Sequence, residues 1–154
     1  MSLKEKLQKD FIKSMKDKDT VKKSTLSGIK AKITEAEKVK GQGELNDDSV
    51  TRVLLTAAKQ RKQSIESFKK AGRKDLIESE TAELNIIEEY LPKEMTNEEI
   101  SKELVFIMGE MNYGEGNRQR IIGQTIGAFN KKFTGRAEIG KVKQLIESLL
   151  ENDI

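Results

Sequence analysis

The residues best suited to engage a charged ligand as a group are Arg118, Arg120, Lys131, Lys132 and Arg136, in a stretch from Asn117 to Arg136 that contains no acid. Uncompensated cations of this kind contact several phosphates at once and release their condensed counterions, so nucleic acid is the natural ligand class. Gly123 and Gly127 lie one turn apart in the same stretch. Each costs about 1 kcal/mol relative to Ala in a helix interior, so something must compensate. Either a neighbouring helix packs close to them, which their place beside Ile122 and Ile126 favours, or a ligand backbone does. The plainer reading of the cations is a solvated helix face whose Lys131, Lys132 and Arg136 complement the negative end of the helix dipole.

Other chemistry is thinly represented. The 154-residue chain has no His and no Cys, which removes imidazole acid/base catalysis, thiolate nucleophiles, disulfides and zinc sites of the Cys/His kind. The carboxylate pairs Glu88-Glu89 and Glu98-Glu99 lack the Glu-x-x-His units of di-metal bundles, and paired acids at a helix start are routine. Gly114-x-Gly116 is too short for a phosphate-binding loop. No catalytic residue, metal or cofactor is therefore expected. The small net charge of +3 hides an uneven distribution: Met1 to Gly43 carries 12 Lys against 6 acids, whereas the rest of the chain is slightly acidic. Those lysines could track a nucleic-acid backbone, but Asp10, Asp17, Glu35 and Glu37 are interleaved with them. Most Phe positions fall on apolar stripes, which argues against a platform for stacking unpaired bases.

The elements that must position these residues read as helices throughout. Ser2-Leu3-Lys4-Glu5 is a capping box leading a first helix with Leu3, Leu7, Phe11 and Met15 on one stripe, ending near Lys18. A second runs from Asp19-Thr20 with Leu26, Ile29, Ile33 and Ala36 inward until Gly41-Gln42-Gly43, presenting lysines from Lys22 to Lys40. A third starts at Asn46-Asp47-Asp48 and stops at Ala71-Gly72, and a fourth runs from Lys74 to Leu91. Pro92, the single proline, marks the domain boundary. Beyond it, Thr96-Asn97-Glu98-Glu99 reads as a second capping box for a fifth helix, which ends at the loop Asn112 to Asn117. A sixth places Ile122, Ile126, Phe129 and Phe133 on one face, and a seventh begins near Glu138 with Ile139, Val142, Leu145, Ile146 and Leu149. The expected fold is all-α: an N-terminal domain of about four helices over residues 1–92, then a small three-helix bundle over residues 93–154.

In four places the chain resembles the YqeY-like family: the SLKEKL run at Ser2, KQRKQSIESFKKAGRKDL from Lys59 to Leu76, ELNIIEEYLP from Glu83 to Pro92, and the IIGQTIG and GRAE segments between Ile121 and Glu138. That family is similar in its C-terminal part to the tail domain of the B subunit of the glutamine-dependent aspartyl/glutamyl-tRNA amidotransferase. The resemblance implies a helical N-terminal domain, a three-helix tail-like domain, and an association with carbon–nitrogen ligase chemistry using glutamine as amido-N-donor. It also implies tRNA as a partner, together with amidotransferase subunits or other translation proteins. Residues for glutamine hydrolysis or ATP-dependent activation are missing, so no catalysis by the chain alone is expected. Where Asp-Gly often follows Gly-Arg-Ala in the family, this chain has Glu138-Ile139-Gly140, which leaves the start of the seventh helix open.

The expected function is a non-catalytic tRNA-binding or amidotransferase-associated module. Arg118, Arg120, Lys131, Lys132 and Arg136 would be the phosphate contacts, and Gly123 and Gly127 would allow close approach. The alternative is a protein-interaction adaptor anchored by apolar residues such as Val21 and Val39. No apolar run of membrane-spanning length and no secretory signal pattern is present in the sequence, so a cytoplasmic protein with no membrane partner is expected.

Overall fold

A computed structural model of the chain describes residues 1–39, 41, 43–111 and 117–151. Among them are seven α-helices and no strand: α1 (Leu3–Lys16), α2 (Thr20–Glu37), α3 (Asp47–Ala71), α4 (Lys74–Glu88), α5 (Asn97–Glu110), α6 (Arg118–Lys132) and α7 (Ile139–Glu151). Lys40, Gln42 and residues 112–116, with the expected Gly114-x-Gly116 loop, lie outside the described residues.

Helix starts follow their capping chemistry. The Ser2 hydroxyl accepts from the Glu5 N–H at 3.1 Å while the Glu5 carboxylate accepts from the Ser2 N–H at 3.4 Å. Asn46 caps α3 by accepting from the Ser49 N–H at 2.9 Å, with Asp47 and Asp48 at the positive end of the dipole. Thr96 accepts from the Glu99 N–H at 3.2 Å, but the Glu99 carboxylate accepts from the Thr96 hydroxyl, also at 3.2 Å, where a full capping box would use the Thr96 N–H.

Helices α1 and α4 end earlier than the sequence suggests, whereas α3 ends where expected. Lys18 takes a left-handed φ of 56°, so α1 stops at Lys16. Before Pro92 the N–H groups of Glu89, Tyr90 and Leu91 each bond three residues back, a tightened turn that closes α4 at Glu88. Gly72 supplies the left-handed residue (φ 69°) that ends α3.

The chain gathers into two compact units, Met1–Leu91 and Pro92–Ile154. In the first, α3 packs on α4, α1 on α2, and α2 on both α3 and α4, around Leu7, Leu26, Ile29, Leu54 and Ile87. Met15, expected on the α1 stripe, is 43% exposed. An i, i+4 series drifts by roughly 40° per step on a 3.6-residue helix, so the fourth member has rotated off the core face. Ser14 is buried there instead, its hydroxyl donating to the Phe11 carbonyl at 2.6 Å. In the second unit α5, α6 and α7 pack pairwise around Ile100, Leu104, Phe129, Val142 and Ile146. Ile139, expected inward, is exposed at the first residue of α7, before the buried face begins. No helix among the described residues is long and apolar enough to cross a membrane.

Two polar ties secure the first unit. The Tyr90 hydroxyl donates to Asp10 at 2.6 Å. Burial first, then that bond and the Asp10 charge, push the phenol pKa well up, so the donor keeps its proton. Glu37 accepts from Lys4 Nζ at 2.7 Å and from the Leu45 N–H at 3.0 Å, joining α1, the end of α2 and the chain leading into α3. The Lys4 bond, followed by the Leu45 amide, holds the Glu37 carboxyl below its usual range.

Tyr90→Phe leaves a partly buried carboxylate without its donor and is expected to cost about 1–2 kcal/mol. Urea titration should show a lower midpoint with unchanged slope, and an unchanged midpoint would refute a stabilising role for the bond. Because the folded pKa of Glu37 is depressed, its stabilisation is present above the ordinary value of 4.5 and is lost as pH falls through the lower folded value. Wild type should therefore lose stability more steeply than Glu37→Gln on acidification below pH 4.5, read by circular dichroism. Parallel curves would dismiss the linkage.

Candidate nucleic-acid interface

Helix α6 carries the cationic stretch, and its start is fixed by Asn117, whose side chain accepts from the Arg120 N–H at 2.8 Å. Ile122, Thr125 and Phe129 turn inward. The buried Thr125 hydroxyl is satisfied by the Ile121 carbonyl at 2.7 Å, and the Phe129 and Phe133 rings lie 5.1 Å apart in a tilted pair. With that face committed to the core, Arg120, Gln124, Gly127 and Lys131 fall at i, i+4, i+7 and i+11 on the opposite face, with Gly123 beside them, and all five are exposed.

The glycines correct one expectation. A Cβ built at Gly123 or Gly127 meets nothing within 4 Å, so no neighbouring helix packs close to either. They lie on the side of α6 away from Ile122 and Phe129, and the compensation proposed from the apolar stripe is absent. Between Arg120 and Lys131 the helix thus lacks a side chain at two exposed positions, Gly123 and Gly127, on either side of Gln124.

The five cations are not equivalent. Arg118 Nη2 lies 3.4 Å from Glu151 on α7, and Lys132 Nζ lies 3.4 Å from Glu103 on α5. Lys132 also stands over the rings of Phe106 and Phe133, at 5.0 and 5.3 Å from their centroids. An acid-free run of sequence is thus not acid-free in space, because α5 and α7 each bring a carboxylate to its edge. Arg136 belongs to the turn after α6, where Gly135 takes a φ of 77°. Its carbonyl accepts from the Met95 N–H at 2.8 Å and its Nε donates to the Lys93 carbonyl at 3.1 Å, so it ties the chain ahead of α5 to the end of α6. Arg120 and Lys131 have no acidic partner among the described residues.

Exposed pairs such as Arg118–Glu151 and Lys132–Glu103 contribute about 0–1 kcal/mol, so an arriving phosphate can recruit these cations at small cost. Lys131 and Lys132 also occupy the last turn, where they complement the dipole as the plainer reading expects. Phe106 escaped the sequence reading although the signal was present: it falls outside the Ile100, Leu104, Ile107 stripe of α5 and is exposed. Glu98 and Glu99 lie in the first turn of α5, Glu89 lies 3.6 Å from Lys22, and no group of three His, Cys, Asp or Glu among the described residues is placed to hold a metal ion.

A family model described as YqeY-like protein matches residues 4–150. Among curated proteins, the chain is 38% identical over 86 residues to altered inheritance of mitochondria protein 41, mitochondrial, of Lachancea thermotolerans, a match covering 55% of this chain and 46% of that protein. It is 32% identical over 116 residues to the protein of the same name from Kluyveromyces lactis, covering 73% and 62%. A Schizosaccharomyces pombe protein named as uncharacterized is 35% identical over 91 residues, covering 59% and 73%. The chain thus spans about half to three-fifths of the length of the mitochondrial relatives it matches.

Substituting Gly123→Ala and Gly127→Ala should each raise stability by about 1 kcal/mol, since helix propensity improves and no clash is introduced. Thermal melting would show an upward shift. A downward shift would mean that the bare backbone is structurally required.

Proposed function

Because the chain belongs to the YqeY-like family, we propose that it is a non-catalytic RNA-binding module, with tRNA as its ligand, that contacts the phosphate backbone through the outward face of α6. The observation that carries this reading is the pairing of two unpartnered cations with two glycines that no internal packing requires. Eleven residues separate Arg120 from Lys131, about 16 Å along the axis, which suits a run of backbone rather than one phosphate. The two glycines flanking Gln124 let that backbone approach, while Arg118 and Lys132 at the margins add charge once their weak partners are displaced, and Arg136 adds charge from the turn after α6.

Residues 93–154 would be the tail-like, RNA-contacting part and residues 1–92 a helical domain attached to it. Carbon–nitrogen ligase chemistry with glutamine as amido-N-donor would belong to a complex in which such a module is one member. Three relatives named as mitochondrial bring the mitochondrion in, beside the cytoplasm expected from the sequence, as a setting for this role. The adaptor reading draws on exposed Val21 and Val39, joined by Val105 and Phe106.

Measuring tRNA affinity over a salt series tests the reading. Arg120→Gln/Lys131→Gln should reduce the slope of log K against log salt by about 0.7–0.9 for each phosphate contact removed. Arg118→Gln/Lys132→Gln should do less, and the Gly123→Ala/Gly127→Ala chain should bind more weakly although it is more stable. Equal slopes for wild type and Arg120→Gln/Lys131→Gln would end the assignment. Co-purification of a protein partner that survives nuclease and high salt would favour the adaptor.

A further inference from the structure

We propose that the groove between α2 and α3 in the first unit is a binding site for a phosphate ester. It encloses about 350 Å³, at the lower end of the roughly 300–1,000 Å³ usual for small-ligand clefts. Every charged residue lining it is a cation: Lys32 from α2, and Arg52 and Arg61 from α3. Arg52, Thr56 and Gln60 follow one another at i, i+4 and i+8, a row of hydrogen-bonding side chains along one wall. The apolar floor, with Ile29 and Ala57 buried, suits the organic part of an ester.

The cations differ in how far they are already satisfied. Arg61 is anchored from α4, with its Nε 2.7 Å from Glu83 and 3.5 Å from Glu80. Neither contact is aligned as a hydrogen bond, and Nε is a buried donor without a partner. Both carboxylates approach that one nitrogen of a fork with five N–H donors, so they orient the guanidinium without exhausting it. Lys32 lies 3.8 Å from Glu35 in a pair exposed on both sides, which holds it weakly. Arg52 is exposed and has no acidic partner among the described residues.

Arg52 is the uncompensated charge, and a phosphate monoester, carrying about −1.5 to −2 near neutral pH, competes for Lys32 more strongly than its exposed and distant partner Glu35 does. Planar Arg forks also match phosphate oxygens two at a time. Gly28 lines the groove without a side chain. It lies one turn before Lys32 inside α2, and an added Cβ would meet nothing within 4 Å, so packing does not explain the glycine. The site stands on residues of the first unit and does not depend on the α6 reading.

The same chemistry comes from a free phosphorylated metabolite or from the backbone of RNA, and the test separates them. The full chain, labelled with ¹⁵N, is titrated with AMP, with a short single-stranded RNA lacking terminal phosphates, and with sodium chloride at matched ionic strength. Saturable shifts of the Gly28, Lys32, Arg52 and Gln60 amides with AMP are expected. Lys32→Gln/Arg52→Gln should weaken the binding about tenfold or more, and Gly28→Leu should weaken it without loss of helicity by circular dichroism. Saturation by RNA but not by AMP at the same amides would keep the site and identify a phosphodiester as its ligand. No saturation with either, the same response to chloride, or undiminished affinity in Lys32→Gln/Arg52→Gln would overturn the proposal.

Discussion

Burial of narrow aliphatic stripes, one along each helix, is the constraint from which the rest follows. With no Trp, no Cys and five Phe in 154 residues, covalent staples are absent and aromatic anchors are few, chiefly Tyr90 in the first unit and Phe129 in the second. Leu, Ile and Val side chains must fill most of both cores, and nearly every helix commits one face to that task. What remains is a large area of helix surface with no packing duty. On that surface the sequence is free to place Lys, Arg and Gly for other purposes, which is where the features of interest lie.

The polar contacts are arranged around this division. Buried hydroxyls of Ser14, Thr25 and Thr125 each donate to a carbonyl three or four residues earlier, so the cost of burying them is met within their own helices. Ties between separate elements use charge at the edge of the core, as in Lys4–Glu37 and Tyr90–Asp10. On the outer surfaces, ion pairs are exposed and weak. Their cations are held near one position but remain available to a more highly charged partner.

Much of the helix layout was legible in the sequence, because capping residues and glycines act locally. Ser2, Asn46 and Gly72 do what their residue types predict. Local rules fail where they are extended too far. A four-residue repeat drifts off the core face within three steps, which leaves Met15 exposed. Charge read along the chain misses Glu103 and Glu151, which reach α6 from other helices. Gly123 and Gly127 are sequence neighbours of Ile122 and Ile126, but adjacent residues on a helix point about 100° apart, so the glycines face away from any partner helix. The α2–α3 groove had no signal in one dimension, since its walls come from segments joined only by packing.

The bond between Tyr90 and Asp10 spans eighty positions, from nearly the last residue of the first unit to its first helix. During synthesis the chain emerges from its N-terminus, so α1 and α2 can pair while Tyr90 is still inside the ribosome. The seam between Asp10 and the end of α4 then stays open until residue 90 is released. Until that moment the apolar side of α1 has only part of its cover. The first unit therefore cannot complete its core until residue 90 has left the ribosome, after all four of its helices have been made.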